Sequence, residues 1–342
     1  MPQRNESTGP SQGGREQCAP ARRSGWWWRA AISALILVWL VARMQWRPIL
    51  DALAKTKLSW CLLALLLYCL AQLVSSLRWQ VLAKALGFAE RYDRYASLYF
   101  VGMFFSLFLP TSVGGDVVKA WYLDGRRGRV WLAALSVFSE RFSGLLALLL
   151  IACFATLANP AGLPEWAPWF VWSTTGSALI ALLSLPVLGQ WNRRMRALAE
   201  GLSFYRGHWT RWCAAMGLSF LVQGSSVVQI WMLGKGLGLH APMLAYAVAV
   251  PIVSLLTMLP TSINGLGVRE LSLVGLMVPM GATEPGAVAL GLLWLFITAA
   301  ASLIGGGVYL TGEFSRSEGK VTNGSLGGDS DQGRAGQFGA AA

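Results

Sequence analysis

The chain has 342 residues, of which 55% are hydrophobic and 13% are charged, and its mean hydropathy is +0.50. A soluble protein of this length would carry about 25% charged residues, so the composition excludes an ordinary soluble domain. The apolar residues come in runs near 20, long enough for an α-helix to cross a hydrocarbon core of about 30 Å. A membrane β-barrel would instead alternate apolar and polar positions. We therefore predict an all-α polytopic membrane protein.

The placement of the positive charge and the small number of metal-ligating residues limit the partners and cofactors that we expect. The net charge is +12, but the Lys and Arg residues cluster in short stretches between apolar segments. There they fix topology and meet anionic headgroups, so we expect membrane lipids and not nucleic acid as partners. The five cysteines are scattered and the chain has two histidines, His208 and His240. We therefore expect neither a metal site nor a cofactor.

The chain begins and ends with polar, low-complexity tails. We expect residues 1–25 and 311–342 to be disordered and cytoplasmic, because neither can bury a core. The transmembrane domain then spans 26–310. Its first apolar run follows a long polar tail and lacks a small-x-small cleavage site, so we predict a retained span and no signal peptide. Eight apolar segments follow in order, at about 26–43, 58–78, 96–123, 131–157, 169–189, 212–234, 242–277 and 287–310.

Two of these segments, 96–123 and 242–277, are interrupted midway by helix-breaking residues. The interruptions are LPTSVGGDVVKA at 109–120 and LPTSINGLGVRE at 259–270, which are offset by 150 positions. They share LPTS, a glycine, and a cation four residues after that glycine. Proline ends a helix because it lacks an N–H and clashes with the preceding turn. Each interrupted segment is thus either one kinked span or a re-entrant hairpin of two half-helices.

The distribution of Lys and Arg favours the hairpins. With two hairpins and a cytoplasmic N-terminus, 20 basic residues lie inside and 5 outside. With two full spans the split is 13 to 12, and with only the second as a full span it is 17 to 8. The positive-inside rule therefore predicts both hairpins, and these enter from opposite faces as an inverted repeat. In this topology 43–57 is an outside loop, 78–95 is a cytoplasmic loop that includes Arg78, and both termini are cytoplasmic.

The interruptions are suited to binding an anion. Non-helical backbone inside a membrane is tolerated only where protein or a watery cavity covers it. Pro110 and Pro260 are the predicted helix breaks, and the free N–H groups of the following half-helices attract negative charge. Glycines let a ligand or a neighbouring backbone approach closely. We predict that a phosphate headgroup binds here, and its predicted ligands are Ser112, Gly114, Gly115, Lys119, Arg141, Ser262, Gly265 and Arg269.

Acidic residues are expected to hold these cations in place. A buried charge costs at least about 2.5–3.5 kcal/mol on insertion scales, so each one needs a partner. Asp116 and Lys119 are three positions apart and can share a helix face. Glu140 and Arg141 are neighbours that point roughly 100° apart, and we expect Glu140 to pair with Arg269 or Lys119. The predicted charge partners are Asp116, Glu140 and Glu270.

Simpler alternatives stay open for each assignment. The two prolines could mark kinks in spanning helices. Ser112 and Asp116 could be helix caps without a ligand role. Glu140 and Arg141 could belong to a structural ion pair, and Lys119 could reach the cytoplasmic interface by snorkelling.

Three motifs in this order resemble a known family. FFSLFLPTSVGGDVVKAWYL, SERFSGLLAL and LPTSINGLGVRE are similar to motifs of the flippase-like family related to the membrane half of bacterial lysyl-phosphatidylglycerol synthases. The resemblance extends over most of 30–310. The family pattern reads P-x-S-x-G-G-D-x-x-[RK], then E-R-x-x-G, then P-x-S-x-x-G-x-G-x-R-E. Beyond the residues above, it marks Gly144 and Gly267, and it often has arginine at the position of Lys119.

The resemblance implies that the chain moves a polar-headed lipid between leaflets. About 30 residues follow the last span, so the soluble aminoacyl-transferring domain of the synthases is expected to be missing. We therefore predict a protein without catalytic residues, which translocates a phosphate-bearing, anionic or polyprenyl-linked lipid across the bacterial inner membrane. Two alternatives stay open: a non-transport membrane subunit of a lipid-modifying or lipid-linked glycosyl or aminoacyl transferase system, and a scaffold. Both would require an envelope-biosynthesis enzyme as partner.

Overall fold

The computed structural model describes six stretches of the chain, and all of their regular structure is helical. The helices are α1 (Trp46–Ala54), α2 (Leu58–Ala85), α3 (Tyr92–Phe108), α4 (Gly114–Asp124), α5 (Val130–Leu157), α6 (Trp166–Trp191), α7 (Trp209–Gly236), α8 (Met243–Met258), α9 (Val268–Met277) and α10 (Glu284–Thr311), with a 3₁₀ turn at Arg206–His208. The described stretches are 46–108, 114–124, 128–158, 161–191, 205–258 and 265–312. The first predicted span, the N-terminal tail, the C-terminal tail beyond Gly312 and both LPTS sequences lie outside them.

Four of the helices are long and apolar enough to cross a membrane. These helices, α2, α5, α7 and α10, have 28 residues each. At 1.5 Å per residue each is roughly 42 Å long, which exceeds the hydrocarbon core of about 30 Å. The predicted all-α, multi-pass membrane architecture is confirmed at this level.

Helices α2 and α7 pack against each other in antiparallel orientation along their whole length. At one end the amide of Lys57 donates to the carbonyl of Gly236 at 3.1 Å. At the other end Arg211 Nη1 donates to the carbonyl of Lys84 at 2.9 Å. This pair is the frame against which the interrupted segments are placed.

Each interrupted segment forms a pair of shorter helices, and the first pair is α3 and α4. At 11 residues, α4 is roughly 17 Å long and is too short to span the core. The two helices lie side by side, because a methyl group added to Gly115 would overlap the carbonyl oxygen of Gly102. Arg94 in the first turn of α3 donates to the carbonyl of Tyr122 near the end of α4 at 3.1 Å. The start of α3 and the end of α4 are therefore close together.

The second pair, α8 and α9, shows the same relation. At 10 residues, α9 is roughly 15 Å long. Near the break, a methyl group on Gly265 would lie 2.7 Å from the Thr257 side chain of α8. At the far end, Leu239 just before α8 packs on Gly286, which follows α9 in the first turn of α10. The two helices are thus in contact near the break, and the chain that precedes α8 lies against the chain that follows α9.

Within the predicted outside loop 43–57, nine residues are helical, which the sequence analysis did not predict. They form α1, and Ile49 of α1 is buried against Val288 and Ala289 of α10. A helix this short is marginal by itself, and it is the packing of its apolar face that stabilises it. A search for runs near 20 residues does not detect such an element.

The two larger of three hydrophobic clusters each contain one of the pairs of short helices. One contains Trp79, Tyr95 and Leu98 and joins α2, α3, α4 and α5. The larger one is centred on Tyr246 and Leu273 and includes α8, α9 and α10. Each pair of short helices therefore has its own apolar core.

The glycines of α10 allow a test of this packing. A methyl group on Gly305 would overlap the carbonyl oxygen of Phe100 in α3, whereas Gly307 has no described atom within 4 Å of that position. We expect Gly305→Ala to destabilise the protein by about 1–3 kcal/mol through overpacking. Gly307→Ala is the matched control and should be nearly neutral. Thermal unfolding in detergent measures both, and equal unfolding temperatures would contradict the packing of α10 on α3.

Candidate functional site

A buried ion pair joins α2 to α5. Arg78 pairs with Glu140, and their side chains are 4% and 2% exposed. Arg78 Nη1 also donates to Ser219 Oγ of α7 at 3.1 Å, and the Tyr99 hydroxyl of α3 lies 3.5 Å from Glu140 Oε1. Gly144 leaves room for the guanidinium, because a methyl group there would lie 3.1 Å from Arg78 Nη1. The pair therefore ties four helices together.

This pair corrects two predictions. Arg78 is not in a cytoplasmic loop, since α2 continues to Ala85. The ion-pair partner of Glu140 is Arg78, and not Arg269 or Lys119 as expected. The signal was present in the sequence: Trp79, Val81 and Leu82 continue the apolar pattern of α2, so the segment should have been extended.

Asp116 links two of the predicted cations. Arg141 Nε and Nη2 donate to its two carboxylate oxygens at 3.0 Å each, which is the bidentate geometry of a strong charge-assisted pair. Lys119 Nζ lies 3.6 Å from Asp116 Oδ1 on the same face of α4. One carboxylate thus faces two cations and holds α4 against α5.

Lys119 points into the protein and does not snorkel to the interface. Its side chain is buried, and Nζ lies 3.7 Å from the ring centroid of Tyr99 and 5.8 Å from that of Trp79. Both distances are in the range of a cation–π interaction. Gly102 makes this possible, because any larger side chain would collide with the Lys119 side chain.

The second interrupted segment places its charges differently. The guanidinium carbon of Arg269 lies 5.2 Å from the ring centroid of Trp294 in α10. Glu270 is buried, and its Oε2 accepts a hydrogen bond from the amide of Gly267 at 2.7 Å. Gly265 and Gly267 have φ of +73° and +81°, a conformation that glycine adopts without strain. Glu270 therefore caps its own helix.

Three predicted cations converge on one cavity. Lys119 from α4, Arg141 from α5 and Arg269 from α9 line a space of about 210 Å³. Hydroxyl and amide groups line it together with the apolar Met103, Leu107 and Leu295. Ammonium and guanidinium groups beside such donors are suited to phosphate oxygens. The polar residues that line the cavity besides the cations are Tyr68, Gln72, Tyr99, Ser106, Thr298 and Ser302.

The other predicted ligands have different positions. Gly114 is the first residue of α4, Gly115 packs on the backbone of α3, and Gly265 packs on α8. Within the described residues these glycines serve helix contact, and none is among the residues that line the cavity. The predicted site and helix-break residues that lie outside the described stretches are Pro110, Ser112, Pro260 and Ser262.

Sequence reasoning missed the polar residues of α2 and α10. Tyr68 and Gln72 are four positions apart, and so are Thr298 and Ser302, so each couple lies on one helix face. Isolated polar residues at this spacing inside an apolar span were the available signal.

The buried pair predicts a specific pattern of stabilities. Arg78→Met leaves the Glu140 carboxylate buried without its guanidinium, which typically costs about 3–5 kcal/mol. The double variant Arg78→Met with Glu140→Gln removes both charges and should regain most of that stability. Thermal unfolding in detergent of the wild type, both single variants and the double variant completes the cycle. Additive losses in the double variant would contradict a coupled pair.

Comparison with known proteins agrees with the three motifs. A family model described as the lysylphosphatidylglycerol synthase TM region matches residues 26–306. No curated protein matches the chain. The family match covers most of the sequence and includes every described helix up to Gly306 of α10. The chain therefore belongs to the family of the lysylphosphatidylglycerol synthase transmembrane region.

Proposed function

We propose that this protein translocates a phosphate-headed lipid between the leaflets of the bacterial inner membrane. The observation that carries the proposal is the convergence of Lys119, Arg141 and Arg269 on one cavity. These cations come from three helices and lie far apart in the sequence. Cations at membrane depth are expensive and usually mark a substrate or ion path.

The charge balance of the cavity favours an anionic headgroup. Lys119 and Arg141 share the single carboxylate of Asp116, while Glu140 pairs with Arg78 behind them. A phosphate in the cavity would add negative charge next to Lys119 and Arg141, on the side where they face the cavity. Electrostatic attraction is stronger there than in water because the surroundings are less polarisable.

The pairs α3–α4 and α8–α9 are proposed to be re-entrant hairpins in an inverted repeat. Two observations support this: α4 and α9 are too short to span the core, and the start of α3 lies beside the end of α4. Lys119 and Arg269 occupy equivalent positions at the offset of 150 residues. Hairpins that enter from opposite faces would bring these two cations to the same cavity.

This arrangement suggests how a headgroup could cross. In transporters with inverted repeats the site is reached from either side as the repeats move against each other. The headgroup would occupy the cavity while its hydrocarbon chains stay in the bilayer. Arg78 and Glu140 would remain fixed during this motion, because separating a buried pair is costly.

We further propose that both termini are cytoplasmic, because the distribution of Lys and Arg favours this orientation. The family match is to a transmembrane region, which supports translocation rather than aminoacyl transfer as the role of this chain. An envelope-biosynthesis enzyme as partner stays a prediction.

Leaflet exchange in proteoliposomes tests the function. Lys119→Met and Arg269→Gln each remove a charged contact to the headgroup, worth about 1.5–3 kcal/mol, so we expect exchange of an anionic reporter to fall about tenfold or more. Lys235→Met is the control, because Lys235 lies in the last turn of α7 over the Trp231 ring and away from the cavity. Anionic and zwitterionic reporters are compared in each preparation.

Two results would contradict the proposal. One is exchange that persists unchanged in folded Lys119→Met and Arg269→Gln protein. The other is the absence of exchange for every lipid supplied, polyprenyl phosphate included. The second result would favour a non-transport membrane subunit and a search for a stoichiometric enzyme partner.

A further inference from the structure

We infer that an apolar groove between α4 and α5 holds a hydrocarbon chain of the lipid whose phosphate occupies the cavity. The groove would then be the path by which the lipid enters sideways from the bilayer. This inference rests on the proposed function and names a second part of the same substrate site.

The groove is large and almost wholly apolar. Its volume is about 510 Å³, more than twice the 210 Å³ of the cavity. Val117 and Trp121 of α4 form one wall, Ala134 and Phe138 of α5 form the other, and Met258 at the end of α8 lies at the groove as well. The groove thus touches both interrupted segments.

The groove and the cavity meet at one ion pair. Arg141 lines both spaces, and its bidentate partner Asp116 lines the groove. Among the described residues of the groove these two are the charged ones. An apolar channel that ends at a guanidinium matches the order of groups in a phospholipid, in which a hydrocarbon chain leads to a phosphate.

The ion pair would control passage between the two spaces. A phosphate that arrives along the groove meets Arg141 first, and two of its oxygens can replace the Asp116 oxygens on the guanidinium fork. Asp116 would keep its contact with Lys119, which lies 3.6 Å away. Arg141 is therefore assigned a specificity role at the entrance as well as a binding role in the cavity.

Selectivity must come from the cations and not from the groove. Within a bilayer, lipid tails are as apolar as the groove, so burying a chain there gives no net hydrophobic gain. A groove without a headgroup site would contain lipids in their bulk proportions. A groove that continues into the cavity would be enriched in anionic lipid, and this enrichment would depend on Lys119.

Site-specific photo-crosslinking tests this difference. p-Benzoylphenylalanine replaces Phe138 in the groove or, as control, Phe220 of α7 outside it. The native side chains are 44% and 39% exposed. Helices α5 and α7 begin at the same end of the bundle, where Arg129 donates to the carbonyl of Leu86 and Arg211 donates to that of Lys84, both at the end of α2. The protein is placed in vesicles of phosphatidylglycerol and phosphatidylcholine, and mass spectrometry identifies the crosslinked lipid.

We expect phosphatidylglycerol to be enriched severalfold over its bulk fraction at position 138 and to match the bulk fraction at position 220. In a Lys119→Met background the enrichment at position 138 should fall, because Arg141 remains but the cavity has lost one of its three cations. Crosslinked lipid of bulk composition at both positions in the wild type would contradict the proposed groove. Enrichment that Lys119→Met does not diminish would also contradict it, because the groove would then select lipid without the cavity.

A separate measurement distinguishes failure of the groove from failure of the proposed function. Binding of water-soluble glycerol phosphate, which has no hydrocarbon chain, is compared in the wild type and Lys119→Met. Binding that the substitution abolishes, without enrichment at position 138, would refute the groove and keep the headgroup site. If glycerol phosphate does not bind and no lipid is enriched at position 138, both proposals are overturned.

Discussion

The buried pair of Arg78 and Glu140 is the constraint on which the rest of the site depends. Two charges out of water must stay together, so α2 and α5 have one register relative to each other. Because Arg141 directly follows Glu140, fixing the carboxylate also fixes the direction of the next side chain, about 100° around the helix. That direction leads to Asp116 of α4. A structural pair thereby positions a cation that faces the cavity.

The cavity lies where the two apolar clusters face each other. Tyr99 belongs to the cluster around α3 and α4, whereas Tyr68 packs on the cluster around α8 and α9. Both tyrosines line the cavity with Lys119 and Arg269, one cation from each interrupted segment. Helices α2, α5 and α7 contribute to both clusters, so the cavity lies between two apolar cores that share one frame.

Sequence patterns predicted the features that depend on local chemistry. The apolar runs gave the helices, and the LPTS interruptions with Lys119 and Arg269 gave the cations that share the cavity. What could not be predicted depends on contacts between distant segments. Arg78 looks like a loop residue until Glu140 is placed beside it, and α1 is stable only on α10. The glycine of E-R-x-x-G, Gly144, has no local role and is explained by the space that the Arg78 guanidinium needs.

The separation of Arg78 and Glu140 along the chain has a consequence for biosynthesis. They are 62 residues apart, so α2 leaves the ribosome and meets the translocon well before its counter-ion has been made. The apolar residues of α2 that precede Arg78 must offset its insertion cost of about 2.5–3.5 kcal/mol. Arg78 is seven residues from the end of α2, near enough for its long side chain to reach the headgroups in the meantime. The ion pair can thus form only when α5 joins α2 in the membrane, and the cavity is complete only once α9 supplies Arg269.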